Sequence, residues 1–93
     1  MIALDTNVLV RFLVQDDPEQ AELATSVIDQ LTDEARAFVS REVLLELVWV
    51  LERSYRLGRA EIAVALDGLL SATELDIEGS DEVAPALELY RND

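Results

Sequence analysis

An α/β fold built on a parallel sheet is predicted by three observations on this sequence. Residues Met1 to Leu4 are uncharged and mostly apolar, without alternation, and end abruptly at Asp5. Such a run reads as a strand buried on both faces, as in a parallel sheet covered by helices. A second short apolar run, Ala37-Phe38-Val39, and an alternating one, Thr73 to Glu78, recur later in the chain. Segments with apolar residues at helical spacing separate the three runs.

Asp5 stands where the first strand ends. Ligands of open α/β sheets bind outside the carboxyl ends of the strands, so an acid there is a candidate site residue. The other account is that Asp5 caps the following helix, with Thr6 and Asn7 suited to the same task. Val8 to Val14 is apolar almost all round and predicts a short helix lying on the sheet. Asp17-Pro18-Glu19-Gln20 predicts a helix start, with Asp17 as N-cap and proline at the first helical position. Ala21, Leu23, Ala24, Val27, Ile28 and Leu31 are expected to form that helix's apolar face, with Glu19, Glu22 and Asp29 as surface charges. Thr32 to Arg36 is a polar connection.

Ser40 ends the second strand and occupies the same kind of position as Asp5, with helix capping again the competing role. A helix is expected over residues 41–55. Within it Glu46 has three apolar residues before it and five after. Burying an ionised carboxylate costs several kcal/mol unless it is paired or metal-bound, roughly as for any isolated buried ion. Glu46 is therefore expected either to face a site or to associate with Arg53, because Glu42, Glu46, Trp49 and Arg53 share one helical face. Gly58 precedes a further helix, expected over 60–71, whose stripe is Ile62, Ala63, Leu66, Leu69 and Leu70. These two helices are expected to form a hairpin. Thr73 to Glu78 is expected to be an edge strand, Gly79-Ser80 a turn, and Asp81 to Arg91 a last helix that Pro85 kinks or begins.

Composition removes whole classes of chemistry. The 93 residues make a single domain with 51% apolar content, enough for a core. The chain has no cysteine and no histidine. That excludes disulfides, thiol nucleophiles, cysteine zinc sites and Ser-His-Asp catalysis, and any metal site must use oxygen donors, which favour Mg2+ or Mn2+. No basic segment precedes an apolar stretch of about 7–15 residues and no apolar run approaches about 18, so a soluble, cytoplasmic protein with no membrane partner is expected. A net charge of −13 opposes non-specific nucleic-acid binding and suits a basic protein partner. All seven basic residues are arginine, which leaves room for a local phosphate-binding patch.

Ile2 to Arg11, Arg41 to Leu51 and the helix start Arg59-Ala60-Glu61-Ile62, in this order, resemble PIN-domain proteins, in particular VapC-like toxins of bacterial toxin–antitoxin pairs. The resemblance spans the whole chain. It implies a three-layer α/β/α fold with a central parallel sheet, and a metal-dependent endoribonuclease using Mg2+ or Mn2+, with RNA as substrate and an antitoxin as partner. Carried over to this sequence, Asp5 and Glu46 match the first two acids of the metal-binding cluster, and Thr6, Asn7 and Ser40 match polar positions beside them. Asn7 and Ser40 are expected to orient water or phosphate. The family's third acid lies in an Ala-Asp-Phe-Ala-Asp-like motif beyond Asp93, and the fourth follows the next strand. The chain is thus expected to be the N-terminal part of a PIN domain, lacking the C-terminal strands; Asp93 falls early for the third acid and is not assigned to it. The alternative is a catalytically inactive truncated module that binds a basic antitoxin-like segment. The resemblance also implies that the missing strand would flank the first one, so Ile2 to Leu4 is expected to be an open edge and the chain a homo-oligomer.

Overall fold

The computed structural model describes residues 2–92. Met1, expected to open the first strand, and Asp93, expected to fall short of the third acid, lie outside the described residues. The elements are β1 (Ile2–Ala3), α1 (Thr6–Val14), α2 (Pro18–Asp29), β2 (Ala37–Val39), α3 (Arg41–Arg53), α4 (Arg59–Ser71), β3 (Leu75–Ile77) and α5 (Ser80–Asn92). The strands form one parallel sheet in the order β1-β2-β3, with Ala3 opposite Phe38 and Phe38 opposite Asp76. A three-strand parallel sheet with five helices is consistent with the α/β/α fold that the resemblance implies.

Side chains at helix entries explain where most of the helices begin. The Asp5, Asp17 and Ser40 side chains accept the N–H groups of Val8 (2.9 Å), Gln20 (3.3 Å) and Val43 (3.1 Å). Each satisfies a donor that the first helical turn leaves without a backbone partner. Glu78, just after β3, adds a long-range cap by accepting the Arg41 N–H at 2.8 Å. At Gly58 the order is reversed: its N–H donates to the Glu61 carboxylate at 3.2 Å. Gly79 has φ +68, a left-handed backbone that favours glycine, and a Cβ there would force the Arg41 guanidinium to move.

The core is one cluster in which Leu9, Val39, Leu47, Leu51 and Ile62 are fully buried, with Leu44, Leu66, Leu69, Ile77 and Leu87 around them. β3 buries Leu75 and Ile77 while Asp76 is half-buried, the expected pattern of an edge strand. Among the described residues, no helix is long and apolar enough to cross a membrane.

Four expectations change. β1 is not buried on both faces: Ile2 and Ala3 are exposed, because β1 is the sheet edge, and only Leu4 beyond it reaches the core. The open-edge expectation for this strand agrees with that position. Leu23 leaves the apolar face of α2 and is exposed, since it stands about 200° around the helix from Ala21 at 100° per residue. α5 runs through Pro85 rather than starting there. The single bond that proline forfeits is to the Asp81 carbonyl, in the solvent-facing first turn, while Leu87 and Tyr90 further on pack against the core. Glu46 is exposed rather than embedded, because the apolar neighbours that surround it in sequence, Leu44 and Leu47, point to the other side of α3.

Candidate functional site

Parallel pairing of β1 and β2 puts both carboxyl ends at one edge of the sheet. With Ala3 opposite Phe38 and the Leu4 N–H donating to the Phe38 carbonyl at 2.9 Å, the chain leaves β1 as Asp5 beside the place where it leaves β2 as Ser40. α1 and α3 start from these two points, so their N-termini converge. The partial positive charge of both helix ends favours anionic groups there, whether carboxylates or phosphates.

A hollow of about 320 Å³ lies at this convergence, lined by Asp5, Thr6, Asn7, Glu42, Val43 and Glu46. Asp5, Asn7, Glu42 and Glu46 are exposed, and Thr6 is buried. Asp5 caps α1 through its Oδ1, and the same residue lines the hollow. Glu46 makes no ion pair with Arg53, whose guanidinium instead lies 5.5 Å from the Trp49 ring centroid. Ser40 is not among the lining residues; its hydroxyl is engaged by the Val43 N–H, so it fixes the first turn of α3, which carries Glu42 and Glu46.

A second hollow, of about 210 Å³, adjoins the first and shares Thr6, Asn7 and Glu46 with it. Its remaining walls are Val10 and Arg11 of α1 and Val50, Ser54 and Tyr55 at the far end of α3. Among the described residues, Arg11 is the only cation lining either hollow.

Three residues of this region escape sequence reasoning in functional terms. Glu42 precedes Glu46 by one helical turn, and that i,i+4 spacing was the available signal. Arg11 follows Asn7 at the same spacing but sits in an apolar run that reads as core. Tyr55 lies beyond the end of α3 and has no periodic signal at all.

Oxygen donors from Asp5 and Glu46 are the chemistry a hard cation takes, and two carboxylates suffice for an ion that keeps several of its waters. Among the described residues, no three acidic groups come together as a metal cage.

Comparison with known proteins agrees with the fold. Residues 2–93 match the PIN domain family. The chain is 31% identical over 91 residues to a VapC ribonuclease of Aquifex aeolicus (strain VF5), covering 97% of this chain and 67% of that relative. No solved structure matches the chain.

Proposed function

This chain belongs to the PIN-domain family, and we propose that its function is metal-dependent endoribonucleolytic cleavage, as the toxin of a toxin–antitoxin pair. The observation that carries this proposal is the single hollow at the carboxyl ends of β1 and β2 that Asp5, Asn7 and Glu46 line together. The likeness to a VapC ribonuclease supports the choice of RNA as substrate.

Asp5 and Glu46 are the metal ligands in this proposal, and the ion is Mg2+ or Mn2+. A bound ion of this kind supplies an activated water and neutralises charge on the leaving oxygen of the phosphodiester. Asn7, in the first turn of α1, orients water or a phosphate oxygen through its amide. Ser40 acts one step back, by holding the first turn of α3 so that Glu46 keeps its place. The N-termini of α1 and α3 lower the cost of bringing a phosphate to an acidic site.

A second function, a non-catalytic module that docks a basic antitoxin-like segment, is favoured by the net charge of −13. RNA cleavage with and without Mg2+, together with calorimetric titration of Mn2+, separates the two. Mg2+-dependent cleavage lost in Asp5→Asn is the expected result. Unchanged cleavage in Asp5→Asn overturns the assignment of the ligands, and tight binding of a basic peptide with no cleavage supports the second function.

A further inference from the structure

We propose that Arg11 binds a backbone phosphate of single-stranded RNA beside the acidic hollow, and so sets where the strand lies across the site. This rests on the ribonuclease function proposed above and adds to it a role for Arg11, to which the resemblance gives none.

Among the described residues, Arg11 carries the only positive charge lining a region where three carboxylates are exposed. On a chain of net charge −13, an anionic strand approaching those carboxylates is repelled unless a cation compensates locally. Arg11 is six residues beyond Asp5, about 9 Å further along α1 at 1.5 Å per residue. It can therefore engage a different phosphate of the strand from the one at the acids.

The guanidinium is poised and under-used. It has five N–H donors in a fixed fork. Among the described residues its one partner is Asp16, with Nη1 to Oδ1 at 3.5 Å, a long contact on a side chain that is 27% exposed. Its Nε is buried without a hydrogen-bond partner. The side chain is thus positioned by packing more than by hydrogen bonds, and its Nη2, which has no partner among the described residues, is left for an oxyanion. It makes no ion pair with Glu46 although both line the same hollow. Ser54 and Tyr55, which close the opposite wall, add hydroxyl groups suited to a phosphate or a ribose.

Fluorescence anisotropy with a labelled single-stranded RNA in EDTA, where metal-dependent cleavage is stopped, followed from about 50 to 300 mM salt, tests this through counterion release. Arg11→Gln is expected to bind roughly tenfold more weakly, the loss of a charge-assisted hydrogen bond, with the salt slope reduced by about 0.7. Arg36→Gln, which alters a half-buried arginine that lines neither hollow, is expected to leave the slope unchanged. A folded Arg11→Gln with wild-type affinity and slope overturns the assignment of Arg11 while leaving the proposed function standing. A wild-type chain that binds no RNA overturns the proposed function, and Arg11 with it. Should Arg11→Gln fail to fold, Arg11→Met decides: weaker binding with a slope reduced by about 0.7 supports the phosphate contact, and wild-type affinity and slope overturn it.

Discussion

Asp5 and Glu46, one closing β1 and the other midway along α3, line the same hollow, and Asp5 does so while its Oδ1 caps α1 at 2.9 Å. One side chain thus carries a structural and a proposed chemical role, and substitutions can divide them. Asp5→Asn keeps an N-cap acceptor, so thermal stability is expected to change little while Mn2+ binding by calorimetry is lost. Asp5→Ala removes the cap as well and is expected to cost about 1 kcal/mol, roughly 4–8 °C in Tm for a domain of this size.

Glu46 has no ion pair among the described residues, and it is exposed. Glu46→Gln is therefore expected to leave stability within about 0.5 kcal/mol of the parent. RNA cleavage and Mn2+ affinity are expected to fall sharply in the same variant. Loss of stability with retained metal binding would show that the carboxylate serves the fold instead.

On α3, Leu47 is fully buried and Leu45 is 66% exposed, although both sit beside Glu46 in the sequence. Leu47→Ala is expected to cost about 2–5 kcal/mol, through lost burial and the cavity left behind. Leu45→Ala is expected to stay within about 0.5 kcal/mol. Urea unfolding of the two variants gives the comparison directly.

The Tyr90 hydroxyl donates to Glu52 at 2.9 Å, and the Arg59 guanidinium lies 5.2 Å from the Tyr90 ring centroid. Burial, the hydrogen bond and the charge of Glu52 hold the Tyr90 phenol above its ordinary value of 10.0, against a smaller opposing effect of Arg59. A folded-state value above the unfolded one contributes stability that is fully present below about pH 10 and is lost as pH rises through the folded value. Absorbance titration at alkaline pH is expected to show one tyrosine ionising late. Glu52→Gln is expected to bring that ionisation earlier.

β1 pairs only with β2 among the described residues, and Ile2 is 52% exposed on this open edge. An edge strand with unpaired N–H and C=O groups, unprotected by charge or proline, is a template for another chain. Self-association through this edge is the expected outcome. Light scattering coupled to size exclusion at low micromolar concentration is expected to give a dimer or larger species. A monomer whose residue 2 to 4 amides are protected from exchange would contradict this.

Local chemistry carried most of the elements into view from the sequence. Asp17-Pro18 and Ser40 supply side chains that satisfy first-turn N–H groups, Gly58 marks a helix entry, and the stripe Ile62, Ala63, Leu66 and Leu69 has the helical period, so these starts and faces need no tertiary information. Asp5 and Glu46 were also legible, as an acid at a strand end and an acid in an apolar helix. What remained hidden is what depends on neighbours distant in the chain. The exposure of β1 depends on which side of the sheet is paired, and a two-residue strand carries no mark of its place in the order. The side to which Glu46 points depends on how α3 is rotated against the core, where burying Leu44, Leu47 and Leu51 outweighs every other preference and turns the carboxylate outward. The placing of Glu42 at one and Arg11 at the other of the two adjoining hollows follows from the parallel pairing of β1 with β2, which brings the starts of α1 and α3 together and is recorded in no single segment.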